Sequence, residues 1–205
     1  MHKRTFDPFV GETYFKQDFK ILVLGESHYL GVEDFNAFKK DQKGFLNVTK
    51  QVVARYLNYK KTGADFEKWM NTYSKFSNVF QGISLDRNQA IDFWQSIAFY
   101  NYVQFTLQKT RQAPNSEDFQ TSIEAFKSVL KELNPNLIVF WGDRLWKYFP
   151  KENYFQGDNE DLHFLTYNSN FPIIVIPHPA SSKLSSIYSE IITKRIAAVK
   201  LFNNS

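Results

Sequence analysis

Four short apolar segments constrain the fold of this chain more than any other feature. Each is rich in Ile, Val, Leu or aromatic residues and lacks the alternation of apolar and polar side chains that marks a strand with one solvent-facing side. Such segments are typical of strands in a parallel sheet that helices cover on both faces. The predicted strands are 19–25, 96–103, 136–142 and 172–178.

Segments with helical periodicity separate and follow these strands. Residues 116–134, for example, begin at Ser116, a residue type that favours helix N-termini, and stop just before Pro135. The alternation of strands and helices favours an α/β domain with right-handed crossovers. We expect a three-layer α/β/α architecture around a central sheet of four mostly parallel strands. The predicted helices are 45–61, 65–80, 116–134 and 185–202.

Length and composition predict one domain with a preference for anionic partners. The 205 residues contain no repeat, low-complexity tract or linker, so a single domain is predicted over 1–205. The net charge of +4 favours a polyanionic partner without requiring one. Aromatic residues make up 18% of the chain; most must form the core, and a few are available to stack on bases.

The absence of cysteine excludes several kinds of chemistry. Disulfide bonds, cysteine nucleophiles, zinc–thiolate sites and iron–sulfur clusters all require this residue. Its absence also fits a reducing cytoplasm. The N-terminal segment lacks the apolar stretch of a signal peptide, and no apolar run approaches the ~18 residues of a membrane span. We expect a cytoplasmic monomer that binds no membrane, metal or cofactor.

Polar residues occur where the predicted strands end. The segments GESHY (25–29), WGDR (141–144) and HPASSKLS (178–185) follow three strands, and Asn101 lies inside the second predicted strand. Ligands of open α/β sheets bind beyond the carboxyl ends of the strands. The four polar features could therefore converge on one edge of the sheet. Within WGDR, Asp143 is interpreted as a helix N-cap.

The GESHY segment combines several side chains that are able to do chemistry. Gly25 permits a tight turn or close approach of a ligand, and Glu26 could act as a base or hold a water. His28 could transfer a proton or contact phosphate, and Tyr29 could stack on a flat ligand. Ser27 is not in a nucleophile elbow, because the second glycine is missing. An ordinary strand-to-loop turn with solvated polar residues explains the segment equally well.

Asn101 and the segment after the last strand suggest a ligand with base-like and phosphate groups. A buried amide is costly unless its donors and acceptors are used, so Asn101 could read an edge that offers both, as a pyrimidine does. His178 could donate a hydrogen bond to charge that develops on a leaving group. Hydroxyl and ammonium groups suited to phosphate follow it at Ser181, Ser182 and Lys183. The structural alternatives are an amide that caps a neighbouring backbone group and a serine-capped helix start.

Taken in order, these motifs resemble those of the uracil-DNA glycosylase superfamily. LVLGESHY is similar to the family's first strand with its G-Q-D-P-Y-H or G-E-A-P-G ending, and AFYNYVQ is similar to a second strand of the type ITNVVK. NPNLIVFWG resembles the third motif, P-x-V-I-v-x-L-G, and IPHPASSKLS resembles the final H-P-S or H-P-A motif. The resemblance covers about residues 19–200. It implies a uracil-DNA glycosylase-like fold, here without an iron–sulfur cluster.

The resemblance also implies an activity. Members of this superfamily hydrolyse the N-glycosidic bond of uracil or another damaged base flipped out of DNA, as a step of base excision repair. By position, His178 would stabilise negative charge on the departing base, and Glu26 would position the attacking water. Ser27 stands where several branches carry Asp or Asn and completes the catalytic set.

Further roles are implied for the base pocket and the DNA backbone. Asn101 would read the pyrimidine edge, and Tyr29 would bar a 5-methyl group. Phe45 is the candidate for the stacking aromatic, with Phe35 and Phe38 as competitors. Gly25 completes the base-binding set, and contacts to phosphate would come from His28, Ser181, Ser182 and Lys183.

Three functions are consistent with these features. The first is a glycosylase that acts on single- or double-stranded DNA containing a damaged base. The second is a nucleic-acid-binding or interaction protein of the same fold without catalysis, which Ser27 favours because it is a poor water activator. The third is an unrelated α/β hydrolase of free nucleotides that uses Glu26 and His178 as base and acid.

Overall fold

The computed structural model describes residues 4–107, 113–157 and 159–203. Its strands are β1 (Phe9–Val10), β2 (Ile21–Gly25), β3 (His28–Tyr29), β4 (Ala98–Asn101), β5 (Thr106–Leu107), β6 (Leu137–Trp141), β7 (Tyr154–Gln156), β8 (His163–Thr166) and β9 (Asn170–Ile176). Its α-helices are α1 (Val32–Lys40), α2 (Val48–Thr62), α3 (Met70–Gln81), α4 (Arg87–Ser96), α5 (Ser116–Thr121), α6 (Ile123–Leu133), α7 (Asp143–Tyr148) and α8 (Ser186–Asn203). Short 3₁₀ helices cover Tyr14–Lys16 and Gln42–Phe45.

The main sheet of the described chain is mixed and has seven strands, in the order β1-β4-β2-β6-β9-β8-β7. The four predicted strands are found as β2, β4, β6 and β9, which pair in parallel. The prediction of a four-stranded sheet is nevertheless wrong, because β1 pairs antiparallel with β4 and a β8–β7 hairpin extends the sheet antiparallel beyond β9. These edge strands are short and partly exposed, so they lack the continuous apolar runs that mark buried strands.

Helices pack against both faces of this sheet. Alternate side chains of a strand point to opposite faces. Val23 and Val139 therefore pack with residues of α2, α3, α4 and α8, while Leu22 and Ile138 pack with residues of α5, α6 and α7. The predicted α/β class is confirmed. Separately, β3 and β5 form a small parallel pair beside the carboxyl ends of β2 and β4.

The helices differ from the prediction in extent. The helix predicted over 116–134 is two helices that meet at Ser122, whose hydroxyl donates to the carbonyl of Asp118 at 2.6 Å and accepts from the backbone N–H of Gln104 at 3.0 Å. The helix predicted over 65–80 is found as α3 and begins later. The helix implied by the interpretation of Asp143 as an N-cap is found as α7, whereas α1 and α4 were not predicted. In the described part of the chain, no helix is long and apolar enough to cross a membrane.

The prediction for Asp143 is also corrected. Gly142 occupies the N-cap position of α7, with a φ of 115° that a residue with a side chain rarely adopts. A Cβ at this glycine would lie 3.4 Å from the Cβ of His178. Asp143 is the first residue of the helix, where its negative charge faces the positive end of the helix dipole. The glycine lets the end of β6 approach His178 closely.

Candidate functional site

The carboxyl ends of the four parallel strands lie at one edge of the sheet. Gly25 pairs with Asn101 where β2 and β4 end, and Trp141 pairs with Ile176 where β6 and β9 end. Numbered along the chain, the parallel strands stand in the order 2-1-3-4, so the direction of the crossovers reverses between β2 and β6. Ligands of open α/β sheets bind at such a reversal point. This edge of the sheet is therefore the candidate site.

Glu26 and Arg144 bridge this reversal point. The guanidinium Nε of Arg144 donates to Oε2 of Glu26 at 2.7 Å, and Nη2 donates to Oε1, so the ion pair is bidentate. Nη2 also donates to the hydroxyl oxygen of Tyr29 at 3.3 Å. The hydrogen bond to Glu26 raises the pKa of Arg144 above its ordinary value. A carboxylate with only 10% of its side chain exposed is thus held in place by a cation.

His178 presents one ring nitrogen to a ligand. Its Nδ1 accepts a hydrogen bond from the backbone N–H of Ala180 at 3.1 Å, which assigns the proton of the neutral ring to Nε2. Desolvation is the main cause that lowers the pKa of His178; Arg144 lowers it too, and Glu26 opposes the shift. The ring packs on Trp141 with centroids 6.0 Å apart, yet the residue keeps an exposed surface. No described residue hydrogen-bonds to Nε2, so its N–H is available as a donor.

Asn101 belongs to a buried polar cluster with His28 and Thr49. Only 7% of Asn101 and 6% of His28 are exposed, and Thr49 is fully buried. The amide nitrogen Nδ2 of Asn101 lies 3.2 Å from Nδ1 and 3.1 Å from Nε2 of His28, and Nε2 lies 2.9 Å from Oγ1 of Thr49. Burial lowers the pKa of His28 to about 3. The prediction that His28 contacts phosphate is corrected by this position, because the ring is interior, neutral and engaged by two side chains.

Gly25 provides the space in which Asn101 sits. A Cβ on Gly25 would lie 2.2 Å from Oδ1 of Asn101 and 2.9 Å from the Phe99 ring, distances at which atoms overlap. The amide oxygen therefore rests against the glycine backbone. A tight turn or close approach of a ligand was predicted at Gly25, and the structure shows close approach of the Asn101 side chain.

The segment after β9 forms a compact turn at the same edge. The backbone N–H of Ser181 donates to the carbonyl of His178 at 2.7 Å, and Oγ of Ser181 accepts from the N–H of Lys183 at 3.2 Å. Ser182 and Lys183 are exposed. Lys75 of α3 donates to the carbonyl of Ser181 at 2.6 Å and so anchors the turn to the helix layer.

Two predicted residues occupy positions that limit their roles. Oγ of Ser27 is buried and makes no hydrogen bond with the described residues. A hydroxyl in that position is not open to the site surface. Phe45 is half-buried and meets the edge of Phe38 with ring centroids 5.5 Å apart. Phe38 is fully buried and Phe35 is 9% exposed, so Phe45 is the most accessible of the three candidate stacking rings.

Three contributors were missed by the sequence analysis: Arg144, Thr49 and Lys75. Arg144 carried a signal, because it lies in WGDR, directly after a predicted strand. Thr49 and Lys75 carried none, because each is an ordinary helix residue until the helix is packed on the sheet. All three act by holding another site residue in place.

Two cavities lie away from this edge. One of about 880 Å³ is open to solvent between α2 and the segment that leads into α3, and the ion pair of Arg55 with Glu67 lies in its wall. One of about 360 Å³ is lined by residues that include Asp7 and Lys50. Neither is lined by the residues of the sheet edge, so topology and polar chemistry, not cavity size, identify the candidate site. Among the described residues, no three His, Asp or Glu side chains group in a way that could hold a metal ion.

Comparison with known proteins does not assign a class. No protein-family model matches the chain. No curated protein matches it either.

Proposed function

We propose that this protein hydrolyses the N-glycosidic bond of a damaged pyrimidine-like base in DNA, uracil first among the candidates. The observation that carries the proposal is the arrangement of Asn101 and His178 at one sheet edge. Asn101 offers an amide whose Oδ1 accepts no hydrogen bond from the described residues, and His178 offers a free Nε2–H. Together they supply an acceptor and donors suited to the polar edge of a base.

The reaction needs stabilisation of charge more than a strong base. The bond between the base and C1′ breaks with its electron pair on the base, and the sugar becomes oxocarbenium-like, as in other glycoside hydrolysis. His178 donates its Nε2–H to the oxygen on which negative charge grows. A water then adds to C1′ and releases its proton to solvent. A neutral imidazole suffices for this role, in agreement with the lowered pKa of His178.

Glu26 contributes through its charge and its fixed position. Both oxygens accept hydrogen bonds from Arg144, but each oxygen keeps a second lone pair. A carboxylate held beside the sugar can orient the water and stabilise the cation-like sugar. This role differs from that of a general base and does not require Glu26 to change its protonation state.

The uracil-DNA glycosylase-like architecture remains part of this proposal. It is supported by four parallel strands with helices on both faces and by polar groups at the carboxyl ends of β2, β4 and β9. The exposed Ser182 and Lys183 are the proposed contacts to DNA phosphates.

Release of a base from defined oligonucleotides tests the activity. Purified protein is incubated with single- and double-stranded DNA that carries one uracil, hypoxanthine or xanthine, and abasic sites are revealed by alkaline cleavage. The His178→Ala variant is expected to be slower by about a hundredfold or more. His163→Ala is the matched control, because His163 lies on the edge strand β8. The proposal is wrong if the wild-type protein releases none of these bases, or if both variants behave alike.

Binding without catalysis is the second candidate function. It is favoured by the bidentate engagement of Glu26, whose carboxylate is held by Arg144, and by the buried Ser27 hydroxyl, which is not open to the site surface. This function predicts salt-sensitive binding of oligonucleotides with no base release. Titration of a fluorescent oligonucleotide at two salt concentrations, alongside the cleavage assay, distinguishes the two functions.

A further inference from the structure

The surface of α7 combines exposed positive charge with an exposed aromatic ring. Leu145 is fully buried and anchors the helix, while Arg144, Lys147 and Tyr148 are exposed. Their spacing of three and four residues places these three side chains on one face of the helix. Tyr148 is 41% exposed, and the proposed reaction has no role for it or for Lys147. We call these three residues, together with the exposed Lys151 after the helix, the α7 face.

The two lysines of the α7 face pack on aromatic rings. Nζ of Lys147 lies 5.1 Å from the centroid of the Tyr148 ring, and Nζ of Lys151 lies 4.6 Å from that of Trp146. Within the described part of the chain neither lysine forms an ion pair, although two acidic residues belong to the same segment, 143–152. Cation–π contacts at exposed sites are weak. Both ammonium groups are therefore able to exchange a ring for an anion.

The α7 face begins at the candidate site. Arg144 holds Glu26 where the order of the parallel strands reverses. Tyr148 lies four residues further along the same helix, which is about 6 Å along its axis. A DNA strand rises about 3.4 Å per nucleotide when its bases are stacked. A strand with one base in the site therefore brings the next nucleotide or two to the α7 face.

A nucleotide has the two groups that this face is able to bind. Its phosphate accepts hydrogen bonds from ammonium groups, and its base stacks on aromatic rings. Phe119 supports the ring of Tyr148 at a centroid distance of 5.7 Å, so the ring has a fixed place. Bases in a duplex are already stacked and paired, and their faces are not open to Tyr148. The chemistry of the α7 face therefore fits an unpaired nucleotide.

We propose that the α7 face binds unpaired nucleotides next to the base in the site, with Lys147 and Lys151 on their phosphates and Tyr148 stacked on one base. This inference rests on the proposed function, because it extends the DNA from the same site. On binding, the ammonium group of Lys147 leaves the tyrosine ring for a phosphate, and the base takes its place. The face thereby adds affinity for single-stranded DNA that a duplex of the same sequence does not receive.

Binding of fluorescent single-stranded oligonucleotides tests the stacking role. Each carries one 2′-fluorinated deoxyuridine, because fluorine disfavours the oxocarbenium-like sugar and so prevents cleavage during the titration. One has ordinary flanks, and two others lack the bases of three nucleotides on one side or the other but keep the phosphates. Tyr148→Ala should weaken binding of the first about tenfold, and Tyr148→Phe, which keeps the ring, should bind like the wild type. The effect of Tyr148→Ala should vanish with one of the two base-free flanks.

The salt dependence of binding tests the lysines. The double variant Lys147→Gln/Lys151→Gln should reduce the slope of log K against log[salt] by about 1.4, since each phosphate contact on a single strand contributes about 0.7. Phe15→Ala and Lys16→Gln are the matched controls, because both side chains are exposed just before β2, at the amino ends of the parallel strands. The inference is overturned if the α7 variants bind as these controls do. It is also overturned if the effect of Tyr148→Ala persists with both base-free flanks.

Release of ordinary uracil, measured separately, distinguishes a failure of this inference from a failure of the proposed function. If the α7 variants bind more weakly and the wild-type protein releases no base, the α7 face is supported and the proposed hydrolysis is wrong. If the wild-type protein releases base and the variants bind unchanged, the hydrolysis is supported and the α7 face is wrong. A wild-type protein that binds none of the oligonucleotides overturns both.

Discussion

Arg144 hydrogen-bonds to both carboxylate oxygens of Glu26 and so connects the segment after β6 to the end of β2. The two residues are 118 positions apart in the chain and meet where the order of the parallel strands reverses. The ion pair therefore lies in the crevice where a ligand is expected. Because Tyr29 shares the same guanidinium, two candidate site residues, Glu26 and Tyr29, depend on Arg144 for their positions.

Arg144→Met should lower the rate of base release by roughly tenfold to a hundredfold, because Glu26 and Tyr29 lose the group that orients them. Arg144→Lys should recover only part of that loss, since lysine cannot form the bidentate contact. Single-turnover rates measure the effect. Arg55→Met is the control: Arg55 also pairs with a carboxylate, that of Glu67, but far from the sheet edge. Equal losses in the Arg144 and Arg55 variants would contradict a specific role for Arg144.

Gly25→Ala should disable the site and destabilise the fold. The new Cβ would lie 2.2 Å from Oδ1 of Asn101, so the amide must move away from its position against β2. Overpacking of this kind costs about 1–3 kcal/mol in the free energy of unfolding. Gly44→Ala is the matched control, because the atom nearest to its Cβ position, Oδ2 of Asp41, lies at an ordinary contact distance of 3.5 Å. Chemical denaturation should show a lower free energy of unfolding for Gly25→Ala. For the control, the free energy of unfolding should change by less than about 0.5 kcal/mol.

The sequence predicted the parts of the fold that bury continuous apolar strands. β2, β4, β6 and β9 were recognisable because both faces are covered, and their carboxyl ends were correctly placed on one edge. The edge strands were not recognisable, since partly exposed strands of two to four residues carry little pattern. Periodicity also could not reveal that Ser122 would divide a helix by bonding to Gln104.

The site was predictable in position more than in detail. A residue's place at a strand end can be read from its neighbours, and the positions of Glu26, Asn101 and His178 at this edge were predicted in this way. Side-chain partners cannot be read in this way, because they come from elements distant in the chain. The GESHY segment illustrates the limit. Glu26 contacts Arg144, whereas His28, two residues later, is buried against Thr49 and Asn101.

The buried His28 should make the stability of the fold sensitive to acid. Burial lowers the pKa of His28 from 6.5 to about 3, so between these values the unfolded chain binds a proton that the folded chain does not. The stabilisation from the neutral ring is complete above pH 6.5 and is lost as the pH falls towards 3. Linkage gives a loss of about 3 kcal/mol between pH 7 and pH 4.

The comparison that isolates this effect uses His28→Phe. Denaturation of the wild-type protein and the variant at both pH values gives four free energies of unfolding, and acid effects of other groups cancel in the difference. At pH 7 the variant is expected to have a lower free energy of unfolding than the wild-type protein. Between pH 7 and pH 4, that free energy should fall by about 3 kcal/mol less in the variant than in the wild type. Identical losses in the two proteins would show that the His28 ring is protonated in the folded state at pH 4.

His178 should remain neutral with its proton on Nε2 at pH values where a free imidazole is half protonated. Nδ1 accepts from the N–H of Ala180, and the pKa of His178 is lowered chiefly by desolvation. Long-range ¹H–¹⁵N spectra distinguish the two tautomers and the protonated ring. His163 serves as an internal reference, because its Nδ1 is hydrogen-bonded to Tyr154 instead of to the backbone. A proton found on Nδ1 of His178 would remove the proposed donor to the leaving base.

Lys75→Met should reduce activity through the turn that follows His178. Lys75 donates from α3 to the carbonyl of Ser181 at 2.6 Å, and the N–H of Ser181 in turn donates to the carbonyl of His178. Without the ammonium group, the turn loses its anchor to the helix layer, and the imidazole loses part of its fixed position. We expect about a tenfold fall in the rate of base release with a stability loss near 1 kcal/mol.

The exposed Lys68, just before the start of α3, provides the control for charge, since Lys68→Met removes the same positive charge from the surface without touching the turn. If weaker phosphate attraction alone were responsible, both variants would weaken binding of the oligonucleotide and leave the single-turnover rate at saturation unchanged. A positional effect of Lys75 instead lowers that saturated rate, because His178 is misplaced after the DNA is bound. The rate at saturation in the two variants therefore decides between an anchoring and a purely electrostatic role for Lys75.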